Sequence, residues 1–149
     1  MTQEERRIIV DLRTRMEHNL KTCILPFWTR YMTDQVHGGF YGRVDGSLQP
    51  DLSSPKSMVL NGRMLWTYSR AWDMVRYPAC QELAQRAFRY IQSHFWDELY
   101  GGVYWAVTCR GSLLSWKSAH TLRHFSSIPM RNTIGFSVLK RRWTGPGRC

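Results

Sequence analysis

Lys56-Ser57-Met58-Val59-Leu60-Asn61-Gly62-Arg63-Met64-Leu65-Trp66-Thr67-Tyr68-Ser69-Arg70-Ala71-Trp72 is the stretch around which this chain is organised. It is long enough for four to five helical turns at roughly 3.6 residues per turn. Its apolar residues (Val59, Leu60, Met64, Leu65, Trp66, Tyr68 and Trp72) point in most directions around such a helix. A helix that is apolar nearly all round must be buried on more than one side, so it is expected inside its domain. In its middle stands Arg63. A guanidinium does not shed its charge and is costly to bury alone, so Arg63 faces either a carboxylate such as Asp45 or Asp73, or a polar cavity that the helix lines.

The rest of the composition bounds the answer. A chain of 149 residues with 43% apolar residues, seven Trp, seven Tyr and six Phe is one ordinary domain with ample material for a core. Its start, MTQEERRIIV, is charged and lacks an apolar signal segment, and no run approaches the length of a membrane span. The expectation is a soluble, cytoplasmic protein. Cys23, Cys80, Cys109 and Cys149 are scattered, with no C-x-x-C pair and no histidine at ligand spacing. They are expected to be free thiols in a reducing compartment, with neither a metal site nor a disulfide framework.

A net charge of +10 suggests nucleic acid or an anionic membrane until its location is considered. All eleven Asp and Glu lie between Glu4 and Glu98, and residues 1–116 carry 14 Lys and Arg, a net of +3. Residues 117–149 hold seven Lys and Arg and no acid. The basicity belongs to the tail. Lys140-Arg141-Arg142-Trp143 offers a phosphate-contacting patch with a stacking ring, but one cluster without a fold to present it is weak support for nucleic-acid binding.

In chain order, residues 3–31 read as a helix, with Ile8, Ile9, Leu12, Met16, Leu20 and Ile24 on one face and Pro26 marking a kink or break. HGGFYGRVDGSLQPD, from His37 to Asp51, alternates like a short hairpin closed by an Asp45-Gly46 turn. The inner helix is expected over 57–76. An amphipathic outer helix is expected over 79–95, with Leu83, Ala84, Ala87, Phe88 and Ile91 at helical spacing. The segment from His94 to Leu114 then echoes that from Pro26 to Leu48. Each carries Phe-Trp, a polar spacer, Gly-Gly, aromatic residues and Gly-Ser-Leu, and the two Gly-Gly pairs lie 63 residues apart. A helix pair plus glycine-rich hairpin recurring at that period signals a helical repeat architecture. Two units do not close on themselves, so the repeat belongs to something longer.

ILPFW, HGGFYGRVDG, KSMVLNGRMLWTYSRAW and FWDELYGGVYWAV resemble, in order and at matching separations, the N-terminal third of the N-acylglucosamine 2-epimerase family, and most of all its cellobiose 2-epimerase branch. The likeness covers about residues 20–114. It implies an all-α fold, the N-terminal portion of an (α/α)6 barrel with short β-hairpins between helix pairs. It also implies an isomerase that epimerises an aldose at C2 without a metal or other cofactor. The partner is then a small sugar, with no nucleic acid and no membrane involved. N-acylglucosamine 2-epimerase and mannose isomerase activities stay open as alternatives. So do a non-catalytic remnant and, from charge alone, a basic nucleic-acid-binding protein.

By the same resemblance the chemistry is proton removal alpha to the carbonyl of the opened sugar, through a cis-enediolate. That needs a base with a pKa near neutrality and fixed positive charge where the enediolate oxygen develops. Arg63 stands where the family places its active-site arginine, which implies an oxyanion-stabilising and substrate-orienting role. Asn61, Phe40, Tyr41, Tyr104 and Trp105 are the candidates for lining or shaping the sugar pocket, and for the four aromatics plain core packing competes. His37 reads as a turn residue beside Gly38 and Gly39. The family's catalytic histidines belong to later helices and match no residue here.

After about Trp116 the family pattern stops. Back-translated and read in the neighbouring frame, Ala119 to Ile134 permits T-Y-A-Q-A-F-F-I-Y-S-Y-A-E-Y-Y, close to the helix the family has there, and Leu139 to Thr144 permits E-A-A-L-D. The expected organisation is therefore an incomplete barrel domain over 1–116 and a non-native, frame-shifted tail over 117–149. Such a truncated chain is expected to be inactive, and to self-associate through exposed apolar helices.

Overall fold

Thr2 starts the first helix. In the computed structural model, which describes residues 1–99 and 102–114, α1 (Gln3–Asn19) opens on a capping box. The Thr2 hydroxyl accepts from the Glu5 N–H at 3.2 Å, and the Glu5 carboxylate accepts from the Thr2 N–H at 2.8 Å. Two of the helix's unpaired N–H groups are satisfied in this way. A π turn (Leu20–Ile24) and α2 (Leu25–Met32) follow without a gap. The helix expected over 3–31 thus runs to 32, and its irregularity precedes Pro26. The proline sits at the start of α2, and the wider π turn ahead of it accommodates the missing N–H. No residue of α1 is buried, and Ile8, Ile9, Leu12, Met16 and Ile24 are each at least 44% exposed. The core takes Leu25 and Met32 from α2 instead.

The decisive stretch forms β1 (Lys56–Ser57) and α3 (Met58–Val75). The Ser57 hydroxyl caps α3 by accepting from the Leu60 N–H at 3.1 Å. Arg76, left-handed with φ 50°, ends it, and Pro78 prevents its continuation. Met58, Asn61, Met64, Leu65, Tyr68, Ala71 and Val75 are buried along a wide arc of α3. The arc does not close. Arg63, Trp66, Arg70 and Met74, spaced at three or four residues, form a stripe that remains exposed. Helix α4 (Ala79–Tyr90) packs along the buried side of α3, contributing Cys80, Leu83, Ala84, Ala87 and Tyr90. It ends in a second π turn (Ile91–Phe95), so the helix expected over 79–95 is observed with its last turn widened.

The sequence repeat is a structural repeat. Thr33 bridges Phe40 and Val44 bridges Pro50; sixty-three residues on, Trp96 bridges Val103 and Val107 bridges Leu113. Hydrogen bonds follow the same offset. Asp34 N donates to Gly39 O and Asp97 N to Gly102 O; Tyr41 N donates to Met32 O and Tyr104 N to Phe95 O. This register corrects one detail of the motif reading. Met32-Thr33 is the partner of Phe95-Trp96, whereas Phe27-Trp28 lies a turn earlier on the surface of α2. The second loop docks on the start of α3 through β2 (Ala106–Val107), antiparallel to β1, with Lys56 opposite Val107 and Ser57 opposite Ala106. The tail over 117–149, with the Lys140–Trp143 cluster, lies outside the described residues.

Candidate active site

Arg63 sits one and a half turns into α3, on the stripe that the described residues leave uncovered. It pairs with neither carboxylate considered from the sequence. Asp73 faces Arg70 at 3.8 Å, and Asp45 closes its own turn by accepting from the Ser47 and Gln49 N–H groups, both at 2.9 Å. Arg63 lines an open cavity of about 310 Å³ between α2 and α3, walled by Leu25, Trp28, Leu60, Met64, Thr67 and Tyr68. That volume is at the small end of the range for small-molecule sites.

Asn61, two residues before Arg63, is wholly buried. Its amide nitrogen donates to the Ser57 carbonyl at 3.0 Å, while its Oδ1 has no partner among the described residues. Phe40, expected to line or shape the pocket, is a core residue with no exposed surface. It stacks on Tyr68 with ring centroids 5.9 Å apart and planes 21° apart, so it backs the cavity wall. The planar stack follows from the hairpin turning Phe40 inward over α3. Burial pushes the Tyr68 phenol up to about 12 and the neighbouring Cys80 thiol up to about 11.

Tyr41 and Tyr104 occupy equivalent, half-buried places on the two loops. Burial, with the Asp34 carboxylate adding to it, raises the Tyr41 phenol. Trp105 is 45% exposed, and its carbonyl accepts the Met58 N–H at 2.9 Å. The fold therefore gathers Trp105, Asn61 and Arg63 at the N-terminal end of α3. It leaves Tyr41 on the first loop, and His37 exposed beside the Asp34 carboxylate at 3.7 Å, where a turn histidine was expected.

The sequence reading missed the ion pair that holds this end of α3. Lys56 and Asp34 are almost wholly buried, and the Lys56 ammonium donates to Asp34 Oδ2 at 2.7 Å and to the Gly38 carbonyl at 2.6 Å. It also lies 4.9 Å from the centre of the Tyr90 ring. Burial pushes the Asp34 carboxyl up. The Lys56 hydrogen bond, the His37 and Val36 N–H groups and the ammonium charge outweigh that and hold it below its ordinary value. A signal was present: Asp34 and Asp97 precede their Gly-Gly pairs at the same distance.

No helix among the described residues is long and apolar enough to cross a membrane. Comparison with known proteins agrees with the arrangement. The family model for N-acylglucosamine 2-epimerase (GlcNAc 2-epimerase) matches residues 19–125, past the point at which the motif likeness ends. The chain is 43% identical over 106 residues to a cellobiose 2-epimerase of Bacteroides fragilis, covering 71% of this chain and 27% of that protein. It is 33% identical over 113 residues to one from Ruminococcus albus, covering 76% and 28%. Among solved structures, cellobiose 2-epimerase from Spirochaeta thermophila superposes with a TM-score of 0.69 at 34% identity over 76% of this chain and 28% of that one. The enzyme from Bacillus thermoamylovorans B4167 superposes with a TM-score of 0.64 at 31% identity, over 70% and 27%. The chain spans about a quarter of the length of these relatives. Helix, glycine-rich loop and helix thus recur here as the first part of an (α/α)6 barrel, and the chain belongs to the N-acylglucosamine 2-epimerase family.

Proposed function

We propose that this chain supplies one wall of a carbohydrate 2-epimerase site, with Arg63 as the group that stabilises the enediolate oxygen. In that reaction a base removes the C2 proton of the opened aldose. The C2–H electron pair becomes the C1–C2 double bond, and the carbonyl pair moves onto O1, which carries the negative charge. Reprotonation from the other face returns the epimer. A guanidinium with no carboxylate partner among the described residues is suited to that oxygen, because its charge is permanent and does not depend on a proton gained when the oxyanion forms. The single observation that carries this reading is Arg63 itself, unpaired among the described carboxylates and opening onto a cavity. Trp105, exposed beside the start of α3, is the aromatic candidate for contact with a sugar ring, whereas Asn61, wholly buried, shapes the helix start rather than the cavity wall. The acid/base role is assigned to no described residue, and the reading calls on no metal or other cofactor.

The substrate we favour is cellobiose, on the names of the relatives. N-acylglucosamine and mannose are the alternatives within the family, and a cytoplasmic location is part of the same proposal. The exposed stripes of α1 and α3 favour self-association of the 149-residue chain. The tail over 117–149 is read as the product of a shifted frame, which the codons around 110–120 test directly.

The functional test is a segment exchange. Residues 20–114 replace the corresponding part of the Bacteroides fragilis cellobiose 2-epimerase, and epimerisation of cellobiose is followed. The chimera is expected to be active, and Arg63→Met within it to lower kcat by about 10² to 10³, as for loss of one oxyanion donor. A folded chimera whose kcat ignores Arg63→Met removes the role assigned to this residue.

A further inference from the structure

A second concave surface shares no residue with the Arg63 cavity. It lies between the first glycine loop and α4, holds about 310 Å³, and is walled by polar groups from both sides. Arg86 and Arg89, nearly one turn apart on α4, both line it. Neither guanidinium is neutralised by a described carboxylate. Arg86 donates to the Asp34 carbonyl and to Gln35 Oε1, both at 2.9 Å, and Arg89 to Gln85 Oε1 at 3.3 Å. The carboxylate behind the cleft, Asp34, is taken by Lys56. Gly38 and Gly39 leave the loop side bare of Cβ atoms, and a Cβ on Gly39 would meet the Tyr90 ring at 2.7 Å. His37 and His94 also line it, and Glu82 is the one acidic side chain among the described lining residues.

We infer that this cleft binds a phosphate group, either the free ion or a phosphate ester. Two planar guanidinium groups engaged only by neutral oxygens keep donors and full charge for a compact tetrahedral oxyanion. Arg86 is anchored by the loop and fixes one side of the site. Arg89, more exposed and held by one long hydrogen bond, is free to swing onto the ligand. Glu82 opposes binding. The inference does not depend on the epimerase reading.

The test titrates the full 149-residue chain with inorganic phosphate and, separately, with glucose 6-phosphate, by calorimetry at low salt. Arg89→Gln, an exposed change, is expected to weaken binding about tenfold, and Glu82→Gln to tighten it several-fold. Tighter binding of glucose 6-phosphate identifies a sugar phosphate as the ligand, and equal binding identifies the free ion; both support the site. Phosphate affinity that neither substitution changes, as binding to the basic tail predicts, overturns it, as does the absence of binding by a chain with native helical content.

Discussion

The Lys56 ammonium lies 2.7 Å from the Asp34 carboxylate, both side chains almost wholly buried, and ties the first glycine loop to the residue that begins the decisive stretch. Because the ammonium also bonds the Gly38 carbonyl, this pair sets where the loop sits against α3, and with it the end of the helix where Arg63 is found. Removing either partner leaves a buried charge without compensation. Lys56→Met and Asp34→Asn are each expected to destabilise the chain by about 3 to 5 kcal/mol, measured by urea unfolding. The double substitution to apolar residues is expected to cost less than the two single losses combined.

Asp34 also sets the acid limit. Its carboxyl is held below its ordinary value, so the unfolded chain binds the proton more readily than the folded one. The stabilisation is complete above the unfolded carboxyl's pKa of about 3.9 and is lost as pH falls through the lower folded value. Thermal melts should show a decline below about pH 4, and Asp34→Asn should flatten it.

At the other end of the scale, burial holds Tyr68 and Tyr90 at about 12 and Cys80 at about 11. These groups ionise more easily in the unfolded chain, so their contribution is present below the unfolded values and fades as pH rises towards the folded ones. Stability should fall from about pH 9 to 10 upward. Cys80→Ala should delay the onset, and the absorbance change of tyrosine ionisation should coincide with unfolding.

Gly39 is in the left-handed region with φ 62°, and an added Cβ would stand 2.7 Å from the Tyr90 ring, which is itself buried. Gly39→Ala is therefore expected to cost about 1 to 3 kcal/mol from strain and overpacking together. Gly46, where a Cβ meets nothing within 4 Å, is the control: Gly46→Ala should leave the melting temperature nearly unchanged.

The stripe of Trp66 and Met74 on α3, with Ile8 and Leu12 on α1, is exposed apolar surface of the kind that drives association. The purified 149-residue chain should sediment as an oligomer and epimerise no cellobiose. Trp66→Glu with Leu12→Glu should shift it towards the monomer without changing its helical content. A wild-type chain that sediments as a monomer at micromolar concentration contradicts this.

Helix positions, the doubled loop and the family were legible in the chain by itself, because each is a local pattern. The apolar run from Lys56 to Trp72, the helical spacing over 79–95 and two Gly-Gly pairs 63 residues apart are visible without knowledge of any spatial contact. What each loop residue touches was not legible. Phe40 and Trp105 read alike as sugar-facing aromatics, yet hairpin geometry turns one onto Tyr68 inside the core and leaves the other at the surface. The Lys56–Asp34 pair spans 22 positions, and no periodicity encodes which buried cation meets which carboxylate. That choice, like the lack of a described carboxylate beside Arg63, depends on long-range packing. It is decided only when α3 and α4 close on each other and the loops have one way left to fit.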